Sequence, residues 1–147
     1  MKDETRKISN VFWSFKRYLH SQIGGSYELF WNPTGQPEPT DVDEWVIYES
    51  GQYDSELFTI TSPRIHCVRR NDPDGDKMED LVTAVMATVD AQSSRKYIDF
   101  YDKTTALVIG RIDILNAVAG PPVPYSTGII SRAIDLTVRV KTKRRTI

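Results

Sequence analysis

From Ile130 to Lys141 the chain alternates with a period of two. Ile130, Ile134, Leu136, Val138 and Val140 project to one side, and Ser131, Ala133, Asp135, Thr137, Arg139 and Lys141 to the other. Successive side chains of an extended strand point to opposite faces, so this row demands a sheet with one face covered and the other facing water or a partner. Arg132 interrupts the apolar side, and a charge there either emerges at an edge or meets a partner.

Two segments can supply the cover. Ile8, Val11, Phe12, Phe15, Leu19 and Ile23 recur at offsets of three and four and predict a helix, with Asp3 or Thr5 as its cap and Gly24-Gly25 closing it in the left-handed conformation. Met78, Leu81, Val82, Val85, Met86 and Val89 repeat the pattern between Asp76 and Asp90. There Asp72-Pro73 supplies a cap and a first-turn proline, and Asp74, Asp76 and Glu79 lie where the helix dipole favours negative charge.

Strands are predicted at Tyr27 to Trp31, Glu44 to Glu49 with a turn at Ser50-Gly51-Gln52, Leu57 to Arg70 broken by Ser62-Pro63, Lys96 to Asp102, and Ala106 to Ile114. In the Leu57 to Arg70 segment, Ile65 and Cys67 face one way and Arg64, His66 and Val68 the other. Prolines mark exposed loops at about 32–43 and 116–128; the second contains Pro121-Pro122-Val123-Pro124, a semi-rigid extended segment able to reach a neighbour. The order α-β-β-β-α-β-β-β predicts one α+β domain over residues 1–147, a mostly antiparallel β-sheet with two amphipathic helices packed on one face and a basic tail at 141–147.

Composition removes several function classes. The 147 residues carry a single cysteine, so no internal disulfide framework exists and Cys67 reads as a small buried residue. The charged opening Met1 to Lys7 leads into no signal-peptide core, and nothing approaches the roughly 18 uninterrupted apolar residues of a membrane span. The expectation is a soluble protein, intracellular when made.

Catalytic and metal signatures are scarce. Asp72-Pro73-Asp74-Gly75-Asp76 resembles a calcium loop, but Lys77 and Thr83 stand where an EF-hand needs glycine and glutamate, so a loop and helix cap is the expectation. His20, His66 and Cys67 are too few for a transition-metal site, and His66 and Cys67 point to opposite strand faces. No cofactor, metal or catalytic residue is assigned. Phe12 and Phe15 belong to the helical stripe, whereas Trp13 and Tyr18 lie off or at its border and mark a candidate contact surface.

Charge is unevenly spread. Nineteen Lys and Arg nearly balance twenty Asp and Glu, yet Glu38, Asp41, Asp43, Glu44, Glu49, Asp54 and Glu56 form a run without a lysine or arginine. Arg139, Lys141, Lys143, Arg144 and Arg145 place five positive charges in the last nine residues. A basic tail suits nucleic-acid phosphate, but the two charged segments together suit the tail of one copy meeting the acidic segment of the next in a head-to-tail ring. The candidate subunit-interface residues are Glu38, Asp41, Asp43, Glu44, Arg139, Lys141, Lys143, Arg144 and Arg145.

The helix Ile8 to Ile23, the strand Ile65 to Arg70 running through Asp-Pro-Asp-Gly into the helix Met78 to Val89, and the closing strand Ile134 to Val140 together resemble the tail terminator proteins of long-tailed bacteriophages and related neck proteins. The resemblance covers most of the chain, which departs from the plainest members in its proline-rich 33–39 insertion. It implies a non-enzymatic virion protein, made in the host cytoplasm, that caps the head-proximal end of the tail tube as a hexameric ring. Its implied partners are further copies of itself, the tail tube protein and the head-side connector, with DNA passing through the channel without specific binding and no membrane involved. It also implies that the sheet and its long loops, here 32–43 and Pro121 to Tyr125, make the subunit contacts. The rival readings are a head-completion or connector protein of the same neck, a nucleic-acid-binding module using the basic end, and a small enzyme using the acidic run.

Overall fold

The structure, a computed structural model, describes residues 8–32, 39–53, 60–90 and 96–142. The proposed caps Asp3 and Thr5, the residues 33–38 and 54–59, and the end of the basic tail lie outside them. The elements are α1 (Ile8–Ile23), β1 (Glu28–Trp31), β2 (Glu44–Tyr53), β3 (Ile60–Arg70), α2 (Asp76–Val89), β4 (Lys96–Tyr101), β5 (Val108–Ala119), β6 (Val123–Ser126) and β7 (Ile129–Thr142). The α+β architecture expected from the pattern is present: one seven-stranded, mostly antiparallel sheet in the order β1-β2-β3-β7-β5-β4, with β6 pairing β7, and two helices.

β7 organises the sheet. β3 pairs along one side, matching Ile65 with Ile134 and Arg70 with Ile129; β5 pairs along the other, matching Ile114 with Val138 and Ala119 with Ile134. Ile134, Leu136, Val138 and Val140 are buried with Val46, Tyr48, Ile65, Cys67, Ile98, Phe100, Ile112 and Ile114 beneath the apolar stripes of both helices. α1 gives Val11, Phe15, Leu19 and Ile23 to this core, and α2 gives Met78, Leu81, Val82, Val85 and Val89. A smaller cluster on the opposite face joins Trp45, Ile47, Val68 and Ile129.

Polar groups fix the helices. The Ser14 hydroxyl accepts from the Tyr101 amide at 2.9 Å, and Asn10 Oδ1 accepts from the Lys103 amide at 2.9 Å. Tyr18 donates to the Thr88 carbonyl at 2.6 Å, tying α1 to the end of α2. Trp13 packs edge-on to Tyr101, with Arg17 over both rings. Both aromatics that stand off the apolar stripe are therefore used within the chain.

Several local expectations are corrected. Ser50-Gly51-Gln52 is a bulge inside β2, not its terminating turn: Gly51 has φ +74°, and a Cβ there would meet the Ser62 carbonyl oxygen. Pro63 lies opposite this bulge, where no ladder amide is needed, so Ser62-Pro63 does not break β3. Gly24 does not adopt a left-handed φ; the close approach of His20 leaves no room for a side chain. Pro73 precedes α2, which starts at Asp76 after Gly75. Ile130 leaves the buried row: it is 40% exposed and lines a cavity beside the start of α2, and the packed core of β7 begins at Ile134.

The expected 116–128 loop is largely sheet. β5 runs on to Ala119, Gly120-Pro121-Pro122 bridges a gap, and β6 takes over the vacated edge of β7. Prolines 121, 122 and 124 masked this pattern, yet an edge strand tolerates missing amides. β1 is the parallel exception, paired with β2. Lys141 and Thr142, assigned to the basic tail, belong to β7.

Asp72 accepts the Lys77 and Met78 amides at 3.2 and 2.8 Å, satisfying two of the donors that a helix start leaves open. Asp72→Ala is expected to cost about 1 kcal/mol of stability in urea unfolding, whereas Asp74→Ala, which removes no such bond, leaves the midpoint essentially unchanged.

Candidate assembly surface

The register of β7 sorts the interface residues by position along the sheet. Glu44 pairs with Arg69, and Arg69 with Ile130. Asp43 takes the Arg70 amide on its carbonyl at 2.9 Å and Asn71 Nδ2 on its carboxylate at 3.1 Å, and Asp41 is exposed nearby in sequence. α2 begins at the same end, adding Asp72, Asp74, Asp76 and Glu79. At the other end of β7, Arg139 and Lys141 stand opposite Asp113 and Arg111 of β5. Eleven residue-to-residue steps of extended strand separate Ile130 from Lys141, roughly 35 Å. The acidic and basic candidates are thus brought to opposite ends of one sheet and do not meet within a chain. Glu38, Lys143, Arg144 and Arg145 lie outside the described residues.

The acidic end contains compensating cations that the sequence reading did not connect to it. Arg69 Nη1 donates to Glu44 Oε2 at 3.0 Å. Arg70 places its guanidinium over the Trp45 ring and donates to the Pro39 carbonyl. Arg132, the charge within the apolar row, donates to the Gly120 carbonyl at 2.9 Å and pairs with Glu79 of α2. It meets a partner inside the fold.

The helix-free face carries a polar network. His66 Nε2 lies 2.7 Å from Glu49 Oε2, and Arg64 Nε 2.6 Å from Asp135 Oδ1. Asp113 is the residue that strand alternation alone did not flag: its side chain is 2% exposed, and Arg111 Nε and Lys141 Nζ approach it at 3.2 and 3.4 Å. A buried carboxylate needs such cations, and Lys141 supplies one of them from the neighbouring strand.

A cavity of about 210 Å³ opens at the acidic end between the start of α2 and the turn leading into β7, lined by Arg69, Asp72, Asp74, Met78, Glu79, Pro122 and Ile130 among others. Among the described residues no group of three or more His, Cys, Asp or Glu is placed to hold a metal ion, and no helix is long and apolar enough to cross a membrane.

His66 and Cys67 occupy opposite faces, as alternation requires. Burial pushes the Cys67 thiol from 9.0 up to about 12, against a smaller opposing effect of Arg132. An acid whose folded pKa is raised holds its proton more tightly when folded, so its contribution is complete below pH 9 and is lost as pH rises toward 12. Cys67→Ala is expected to flatten the alkaline fall in stability over that window. In the native protein, Cys67 is expected to stay unmodified by a thiol reagent at pH 8 and to react once urea unfolds the chain; rapid native labelling would contradict its burial.

No family model matches the chain, and no curated protein matches it. A solved structure whose name describes no activity superposes over 95% of this chain and 99% of its own, with a TM-score of 0.66 at 8% sequence identity. The likeness extends across the whole chain and establishes a shared fold.

Proposed function

We propose that the chain is a structural subunit that assembles head to tail into a ring, and that the ring acts as a phage tail terminator: it caps the head-proximal end of the tail tube, stops its polymerisation and forms the joint to the head connector. The observation that carries the reading is the placement of the acidic residues Asp41, Asp43 and Glu44 at one end of the sheet and of Arg139 and Lys141, which lead into the basic tail, at the other. Unlike surfaces at opposite ends of one subunit pair between copies and repeat, which gives a closed ring when the rotation per step divides the circle. Charge also sets the direction of addition, since like ends repel.

Capping follows from asymmetry. A ring that offers the tube one stacking face and presents a different one outward leaves the next tube ring without a complementary site. The work asked of the chain is geometric, and its virion location, its tube and connector partners and its lack of enzymatic activity are parts of the same proposal.

Deleting the gene is expected to yield overlong, headless tubes in electron micrographs. Normal tails beside unjoined heads would instead assign the chain to the neck connector and overturn termination. Reversing the charges of Lys143 and Arg144 is expected to impair ring formation in negative stain, and unchanged rings would remove the electrostatic pairing.

A further inference from the structure

From Ile114 to Ser131 the sequence holds eighteen residues without a single Asp, Glu, Lys or Arg, in a chain whose charged fraction is 27%. This run forms the outer half of β5, all of β6 and the start of β7. Leu115, Val118, Val123, Tyr125 and Ile130 on it are each between 40% and 51% exposed. β4 begins opposite Ile114, so no described strand flanks the arm on its outer side. Prolines 121, 122 and 124 remove three amide donors from the part of that edge that follows β5, which disfavours adding another strand there and favours side-chain contact as its mode of recognition.

The cavity beneath this arm has apolar walls from Met78, Pro122 and Ile130. Its charged lining is largely engaged already: Asp72 on the amides of α2, Glu79 on Arg132, and Arg69 on Glu44. Asp74 remains exposed at the rim with no partner among the described residues. Such a site fits one apolar knob accompanied by one cation.

That knob is on the same chain, at the far end of β5. Leu107, 65% exposed, is the most exposed large apolar residue described. Its turn is held by the Ala106 amide on the Asp102 carbonyl at 2.7 Å, the Asp102 amide on the Leu107 carbonyl at 2.9 Å, and the Lys103 amide on Asn10 at 2.9 Å. Asp102 turns its carboxylate onto the Thr104 amide, and Lys103 is the exposed cation of the turn. A preordered knob loses little entropy on insertion. β5 is twelve residues long, roughly 40 Å as strand, so a subunit's own knob cannot reach its own cavity.

We infer that the cavity between the start of α2 and the β6–β7 hairpin receives the β4–β5 turn of a second copy, with Leu107 inserted and Lys103 opposite Asp74. This contact rests on the self-assembly part of the proposed function and not on tail capping. It assigns the uncharged arm to a neighbour in the ring.

Disulfide trapping on the full-length chain tests it, since Cys67 is buried and does not compete. A mixture of Leu107→Cys and Ile130→Cys chains is expected to give a crosslinked dimer, and the double variant a ladder ending at the ring size. Leu107→Asp should raise the concentration needed for assembly about tenfold or more in light scattering, with its thermal unfolding unchanged because the residue is exposed. Lys103→Asp should weaken assembly, and adding Asp74→Lys should restore it. Rings that form normally with Leu107→Asp, without a crosslink, overturn this contact and leave the ring reading standing. Loss of rings with Ile130→Asp but not with Leu107→Asp gives the arm a different occupant and also overturns it. A chain that stays monomeric at every concentration overturns both the contact and self-assembly.

Discussion

The architecture depends on one strand having two neighbours along its length. β7 is paired on one side by β3 and on the other by β5 and then β6, while its Ile134, Leu136, Val138 and Val140 lie under the helices. Moving its register by one residue would put Asp135, Arg139 and Lys141 into that core. A charge in an apolar interior costs far more than the gain from any alternative pairing, so the register is fixed by exclusion. The positions of the other strands follow, and with them the ends at which α2 starts and the chain finishes.

The same alternation explains how a 147-residue chain with 27% charged residues keeps one face polar. Arg64 meets Asp135 across β3 and β7, His66 meets Glu49 across β3 and β2, and Lys141 meets Asp113 across β7 and β5. These cross-strand pairs reinforce the registry that the apolar face dictates. Exposed pairs add little energy; their main effect is to penalise misaligned strands.

Where periodicity was strong, the sequence was legible. The stripes of α1 and α2 and the alternation of β3 and β7 identified the core almost residue by residue, because each pattern is enforced by burial alone. Three features were not legible, for separate reasons. The Gly51 bulge looked like a turn because a left-handed glycine marks both. β6 was hidden by prolines that its edge position tolerates and by full exposure, which removes the apolar alternation used to recognise strands. The Glu79 partner of Arg132 lies 53 residues away, and no local pattern reports such a distance. Of the candidate interface, the charge segregation was readable, but its meaning depended on the topology that carries Glu44 and Lys141 to opposite ends.

That topology also divides the labour between charge and apolar contact. Exposed charges act over about 10 Å at ordinary salt, enough to orient an approaching copy but too weak individually to hold it. Apolar side chains act on contact and do not discriminate orientation. In this chain the two kinds of surface occur at the same ends: the uncharged arm borders the acid-rich start of α2, and Leu107 lies beside Lys103 on the turn preceding β5. In head-to-tail association, charge would select the partner's end and the apolar knob would retain it. Two acidic ends brought together would bury like charges around their apolar arms. Under the proposed assembly, closed symmetric dimers through that end would therefore be disfavoured relative to continued head-to-tail addition, the geometry from which a ring is built.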